Sequence, residues 1–265
     1  MGVLNTTPDS FSDGGALYSS HRLDLDAAVR TAESMQRDGA HIIDVGGEST
    51  RPGAGAVSEQ VEMDRVLPVV ERLRASLDVI VSVDTSSPGL MREAVRLGAG
   101  MLNDVRALTR PGALEAARDA GVPVCLMHMQ GSPETMQASP VYSDVVDEVA
   151  EFLRQRVADC EAAGIRRERL LLDPGFGFGK TLTHNLQLLA GLPRLARENL
   201  PLLVGLSRKS LIGALIGRDV NERLPASVAL ALLAVQRRAA IVRVHDVAAT
   251  ADALAMWTAL ENVET

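Results

Sequence analysis

Short apolar runs rich in β-branched residues recur along the chain, each followed by a longer amphipathic stretch. Eight such runs are visible, at residues 2–5, 41–45, 79–84, 101–104, 123–127, 170–173, 202–206 and 240–244. Short apolar runs alternating with helical segments are the pattern of βα units around a parallel sheet. The first helix shows in Leu25, Ala28, Val29, Ala32 and Met35, which keep helical spacing before Gly39. Val61, Val66, Val69, Val70 and Leu73 repeat the pattern, and further helices are predicted over 111–120, 143–163, 184–198, 209–217, 222–238 and 247–262. Eight strands are the number that closes a barrel. The predicted fold is α/β, a (β/α)₈ TIM barrel, in a single domain over residues 1–265.

Three connections are too long for plain barrel turns: 6–20, 46–58 and 128–142. Long loops in a compact domain usually serve as lids or binding loops. The first two are rich in Gly, Pro, Ser and Asp, and both follow strand C-termini, the face where barrel enzymes place their chemistry.

The strands end on polar or ionisable residues: Asn5, Asp44, Asp84, Asn103, His128, Asp173, Ser207 with Lys209, and Arg243 with His245. Residues two apart on a strand share a face. Ser82 and Asp84 therefore oppose Val81 and Val83, and Arg243 and His245 oppose Val242 and Val244. A charge facing inwards is costly unless it is paired or used. One such residue is as readily a structural ion pair as a site; the coincidence over several strands points to one polar pocket.

Arg243 and His245 together suit an anion, and barrel phosphate sites often involve the loops after strands 7 and 8. Ser207 to Ser210 is expected to open a helix, whose N-terminal amides favour anions, with Lys209 its principal cation. The plainer alternative makes Ser207 an N-cap and Arg208 an exposed charge. Asp84, Asn103 and Asp173 combine carboxylate acceptors with an amide that both donates and accepts. That set suits a flat heterocycle with N–H and carbonyl groups, such as a pterin or a purine. No zinc spacing, nucleophile elbow or EF-hand loop is present. A hard cation such as Mg²⁺ could be shared between protein oxygen and substrate phosphate, with Asn5 its expected protein ligand.

Residues 173–180, DPGFGFGK, misleadingly suggest a phosphate loop. The nucleoside-triphosphate pattern would need glycine at Pro174, and the dinucleotide pattern would need glycine at Lys180. The stretch reads instead as the loop leaving strand 6, with Asp173 at the strand tip, and the next helix is expected nearer His184.

Composition narrows the partners. A net charge of −7 and an aromatic content of 3% argue against a nucleic-acid surface. Cys125 and Cys160 stand far apart and read as reduced core residues. No apolar run is long enough to span a membrane and no export signal is visible, so a cytoplasmic location is expected.

A family resemblance makes the pocket specific. The segments MGVLNTTPDSFSDGG (1–15), IIDVGGESTRPGA (42–54), SVDTS (82–86), LND (102–104), LMHMQGSPETMQ (126–137), LLLDPGFGFGK (170–180), GLSRKS (205–210) and RVHDV (243–247) resemble, in order, the dihydropteroate synthases of bacterial folate biosynthesis. The resemblance runs from residue 1 to about residue 250. It implies a transferase that joins 6-hydroxymethyl-7,8-dihydropterin diphosphate to 4-aminobenzoate, giving 7,8-dihydropteroate and diphosphate by a dissociative substitution. It further implies that Asp84, Asn103, Met127, Asp173 and Lys209 hold the pterin, and that Asn5, Arg243 and His245 hold the diphosphate, Asn5 with Mg²⁺. Thr50, Arg51, Pro52, Phe178 and Ser210 would shape the aminobenzoate side, and Asp9 with Asp84 would stabilise the cationic intermediate. A homodimer is implied as well. Two other readings share the pocket: a pterin-binding methyltransferase domain and an inactive pterin-binding paralogue. The STRP and SRKS motifs together disfavour the first, and the intact Asn5, Arg51, Lys209, Arg243 and His245 disfavour the second. A departure from the family pattern stands at 224–227, Leu-Pro-Ala-Ser, where a small residue and glycine are expected before the serine. Proline is tolerated at a helix start, so only local rearrangement is expected there.

Overall fold

The computed structural model describes residues 1–7, 18–19, 22–49, 55, 57–132 and 135–263. Eight parallel strands form one curled sheet in sequence order: β1 Gly2–Asn5, β2 Ile42–Gly46, β3 Ile80–Asp84, β4 Met101–Asp104, β5 Val124–Met127, β6 Leu170–Asp173, β7 Leu202–Val204 and β8 Ala239–Val242. The edges of this sheet approach each other. Gly2 forms a parallel bridge with Val244, and the Val3 amide donates to the Val244 carbonyl at 3.1 Å. At the end of the first long connection, Tyr18–Ser19 pairs antiparallel with Arg22–Leu23, just before the helix that begins at Leu25.

Between the strands run α1 Leu25–Arg37, α2 Glu59–Ser76, α3 Pro88–Arg96, α4 Ala113–Ala120, α5 Val145–Ala162, α6 Leu182–Ala190, α7 Leu192–Leu195, α8 Ser210–Ile216, α9 Leu224–Gln236 and α10 Val247–Glu261. Capping explains several starts. Asp24 accepts from the Ala27 amide before α1, and Asp144 accepts from the Val146 and Asp147 amides before α5. No helix among the described residues is long and apolar enough to cross a membrane.

Alternation along the strands sorts the core into two environments. Leu170 and Leu172 of β6 pack outwards against the helices, as do Val81 and Val83 of β3. Leu171 faces inwards and joins Met101, Cys125 and Leu203 in a small apolar plug. Both cysteines are free and buried, in line with their reading as core residues. The plug keeps the lower half of the sheet's interior dry, so polar side chains at the strand tips sit on an apolar floor.

Three helix expectations need correction. The segment predicted as one helix over 184–198 is broken into α6, α7 and a 3₁₀ turn at Ala196–Glu198. Gly191 caps α6, and Pro193 lacks the amide that would continue it. At its other end, α6 begins directly after Thr181, whose hydroxyl accepts from the His184 amide in a capping box. The Gly-Lys-Thr sequence therefore does open a helix. The helix predicted over 209–217 runs from Ser210 to Ile216, but Ser207, expected at its opening, lies outside it because Arg208 adopts a left-handed φ of 57°. At 224–227, Pro225 falls in the first turn of α9, and the Ser227 hydroxyl accepts from the Arg208 amide at 2.9 Å.

Candidate active site

Parallel register carries the polar tips onto a common level. Asn5 pairs with Gly46, Gly46 with Asp84, and Asp84 with Asn103; further round, Met127 pairs with Asp173. The strands thus end together, and their inward side chains meet over the apolar plug. Asn5, Asp84, Asn103, Met127, Asp173, Phe178, Lys209, Ser210, Arg243 and His245 all line one cavity of about 470 Å³. Asp9, Thr50, Arg51 and Pro52 lie outside the described residues, as does most of the two loops read as lids.

A buried residue with no assigned role ties these groups together. Asp44, with 0% exposure, sits one level below the strand tips. It accepts from the Ser82 hydroxyl at 2.6 Å, the Asn103 amide at 3.1 Å and Arg243 Nε at 2.6 Å. Arg243 Nη2 also donates to Asp84 Oδ2 at 3.1 Å, so one guanidinium clamps two carboxylates. Burial opposes the charge on Arg243, but Asp44 and Asp84 outweigh it. Burial, then the neighbouring Asp44 charge, push Asp84 above the usual carboxylate range, and Arg243 pulls it back. The signal for Asp44 was present in the sequence: Asp44 alternates with the outward Ile43 and Val45, and an inward charge needs a partner. Its partners lie up to 199 residues away, which no local pattern encodes.

These bonds decide what each side chain can offer. The Asn103 amide nitrogen faces Asp44, so its carbonyl oxygen is left for a ligand. Asp173 accepts from the Gly175 amide at 2.7 Å through Oδ1, leaving Oδ2. Asp84 gives Oδ2 to Arg243 and keeps Oδ1. Opposite these acceptors stands Lys209, whose ammonium donates to the Phe176 carbonyl and lies 4.8 Å from the Phe178 ring centre. Burial lowers the Lys209 ammonium to about 8 against the opposing Asp173, and burial raises Asp173. Three acceptors facing one cationic donor suit a heterocycle whose edges carry N–H groups on one side and a carbonyl on the other.

The region after β7 differs from its sequence reading. Ser207 does not cap a helix; its hydroxyl meets the His245 amide at 3.2 Å and His245 Nδ1 at 3.1 Å. Arg208 is not an exposed charge, because its Nε donates to Asp246 Oδ2 at 2.9 Å. An anion here would meet Arg243 and His245 rather than helix amides. Asn5 lines the same cavity, and its side chain makes no hydrogen bond to the described residues. No cluster of three or more His, Cys, Asp or Glu suited to a metal occurs among the described residues. A second group absent from the sequence reading is Glu48, which pairs with Arg106 at 3.2 Å where the chain leaves β2.

The arrangement has close counterparts. The sequence pattern of the pterin binding enzyme family matches residues 1–245. The dihydropteroate synthase of Escherichia coli (strain K12) is 55% identical over 254 residues, covering 96% of this chain and 88% of its own. A Xanthomonas albilineans dihydropteroate synthase solved with 4-aminobenzoic acid superposes with a TM-score of 0.92 at 53% identity, covering 100% of this chain and 93% of that one. A Xanthomonas albilineans dihydropteroate synthase in complex with 7,8-dihydropteroate gives a TM-score of 0.88 at 49% identity, covering 100% and 94%.

Proposed function

The chain belongs to the dihydropteroate synthases within the pterin binding enzyme family, and we propose that the residues at its strand tips divide the two substrates between them. It is a transferase that condenses 6-hydroxymethyl-7,8-dihydropterin diphosphate with 4-aminobenzoate, releasing 7,8-dihydropteroate and diphosphate. The observation that carries the division is the complementarity of the polar set. A dihydropterin presents N3–H, N8–H and an amino group as donors, and O4 and N5 as acceptors. Asp84 Oδ1, the Asn103 carbonyl and Asp173 Oδ2 supply the acceptors, Lys209 supplies the donor, and Met127 packs beside the ring.

Arg243 and His245 form the cationic side for the diphosphate. Arg243 Nε and Nη2 are committed to Asp44 and Asp84, so it contributes a fixed positive charge preorganised for the charge that develops on the leaving group. The Asn5 side-chain oxygen, a hard neutral donor with no other bond to the described residues, fits Mg²⁺ held jointly with the diphosphate. A bound Mg²⁺ would supply charge neutralisation to the departing group. Breaking of the C–O bond, with its electron pair leaving on the diphosphate, gives a pterin-methylene cation that Asp84, and Asp9 as the family resemblance implies, would stabilise; the aryl amine then forms the C–N bond and releases one proton. Phe178 and Ser210 border the space proposed for 4-aminobenzoate; Thr50, Arg51 and Pro52, assigned to the same substrate by family resemblance, lie outside the described residues.

The sheet edges bridged at Gly2 and Val244 support a closed (β/α)₈ barrel, in one domain. A homodimer is supported by apolar side chains left exposed on α8, α9 and α10, among them Leu215, Leu233, Met256 (73%) and Leu260 (69%). Light scattering on the purified protein should return twice the 28.2 kDa chain mass; a monomer at micromolar concentration would remove the dimer from this account.

Incubation with the two substrates and Mg²⁺ is expected to yield dihydropteroate and diphosphate, with turnover lost on chelation. No product in either condition would reject the proposed chemistry. A pH dependence follows from Lys209. If its ammonium is the form that binds the pterin, affinity is fully present below about 8 and is lost as the pH rises through that value. Calorimetric titration with the pterin diphosphate should show this inflection, and Lys209→Met should flatten it.

A further inference from the structure

The lysine of the near-miss phosphate loop has a different task. We propose that Lys180 is a positioning residue: its buried ammonium clamps the turn after β6 so that Asp173 and Phe178 face the substrates. This rests on the substrate division proposed above. Lys180 is 3% exposed and does not line the substrate cavity. Its Nζ lies 2.9 Å from His128 Nδ1, 2.9 Å from the Gly175 carbonyl and 3.0 Å from the Phe178 carbonyl. An ammonium has three donors, and all three find acceptors here. None of these partners is a carboxylate.

Each bond leads towards the site. The Gly175 carbonyl is held by Lys180 while the Gly175 amide donates to Asp173 Oδ1 at 2.7 Å, which sets the carboxylate's orientation. The Phe178 carbonyl is held while its ring lies beneath the Lys209 ammonium. His128 follows β5 directly, so the clamp also fastens the turn to the neighbouring strand end. Gly175 makes this approach possible: its φ is +70°, and a Cβ there would lie 1.8 Å from the His128 carbonyl oxygen.

The clamp has a fixed base as well. Lys180 immediately precedes the N-cap Thr181, and Asn185 in the first turns of α6 accepts from the Gly177 amide at 2.8 Å. The turn is thus held from the helix on one side and from β5 on the other. Burial lowers the Lys180 ammonium to about 7, with Asp173 opposing the shift, and burial followed by Lys180 lowers His128 to about 3. His128 therefore stays neutral and can accept.

Lys180→Met keeps the stem and removes the donors. The expected result is a rise of about tenfold in both the KM for 4-aminobenzoate and the Kd for the pterin diphosphate, with kcat at saturation within about threefold. A lower melting temperature with KM and Kd within twofold of the parent, about the resolution of such measurements, would overturn the proposal and leave Lys180 a folding residue only. Should Lys180→Met not fold, His128→Gln and His128→Leu decide the matter. Glutamine retains an acceptor and is expected to restore the parental KM, leucine is not, and equal values for the two would contradict the clamp. Calorimetry reads pterin diphosphate binding independently of turnover. An inactive parent protein would therefore count against the proposed reaction, while the Lys180→Met comparison would still decide the clamp.

Discussion

Arg243→Ala is expected to lower kcat/KM by about two to four orders of magnitude and to destabilise the protein by about 3 to 5 kcal/mol. Both effects follow from the same geometry. The guanidinium sits between Asp44 and Asp84, and without it two desolvated carboxylates face each other across the sheet interior. Breaking a buried ion pair by removing one partner costs more than the pair contributed, because the other charge is left uncompensated. Asp84 already sits above its ordinary range and would rise further. The leaving group would at the same time lose its preorganised charge. Arg243→Lys is expected to fall between the two, since an ammonium cannot reproduce the two directed bonds of the fork. Urea unfolding and steady-state kinetics on the three proteins check this. A variant as stable and active as the parent would contradict the network centred on Asp44.

Lys209→Met is expected to act mainly on the proposed pterin half of the site. Loss of a charged hydrogen bond of about 1.5 to 3 kcal/mol corresponds to a weakening of about tenfold to a hundredfold in pterin diphosphate affinity. Unlike Arg243, Lys209 is within ion-pairing distance of no carboxylate among the described residues. Its removal should therefore leave stability nearly intact while affinity falls. Asp173 would lose a neighbouring positive charge and shift further upwards. Equal affinity in the variant and the parent, by calorimetry, would move the pterin away from Lys209.

The contrast between these two cations shows where the sequence was legible. Strands and their polar tips could be read because alternation is local: Ser82 with Asp84, and Arg243 with His245, separate from their apolar neighbours by counting in twos. The cavity-lining residues Asn5, Asp84, Asn103, Asp173 and Lys209 were found in this way, and the family resemblance added Met127, Phe178 and Ser210. Pairings across the sheet were not legible. Asp44 was visible as one polar strand end among eight, yet its bonds to Ser82, Asn103 and Arg243 depend on register and closure.

Loops were read least well, for identifiable reasons. Arg208 takes a left-handed conformation stabilised by Asp246, thirty-eight residues away, and this delays α8 to Ser210. The break between α6 and α7 did have a local signal, Gly191 followed by Pro193, which the apolar periodicity of the segment obscured. Lys180 resembled a phosphate ligand by motif. Burial turns it inwards instead, against His128 and two carbonyls.

In the proposed arrangement both substrates share one cavity at the C-terminal mouth of the sheet, with the pterin against the polar strand tips and the aminobenzoate outside it. A crystal structure of the protein with 7,8-dihydropteroate tests this most directly. The pterin ring is expected within hydrogen-bonding distance of Asp84, Asn103, Asp173 and Lys209, and the aminobenzoyl group beside Phe178 and Ser210. A product bound with the pterin outermost, or away from these four side chains, would contradict it.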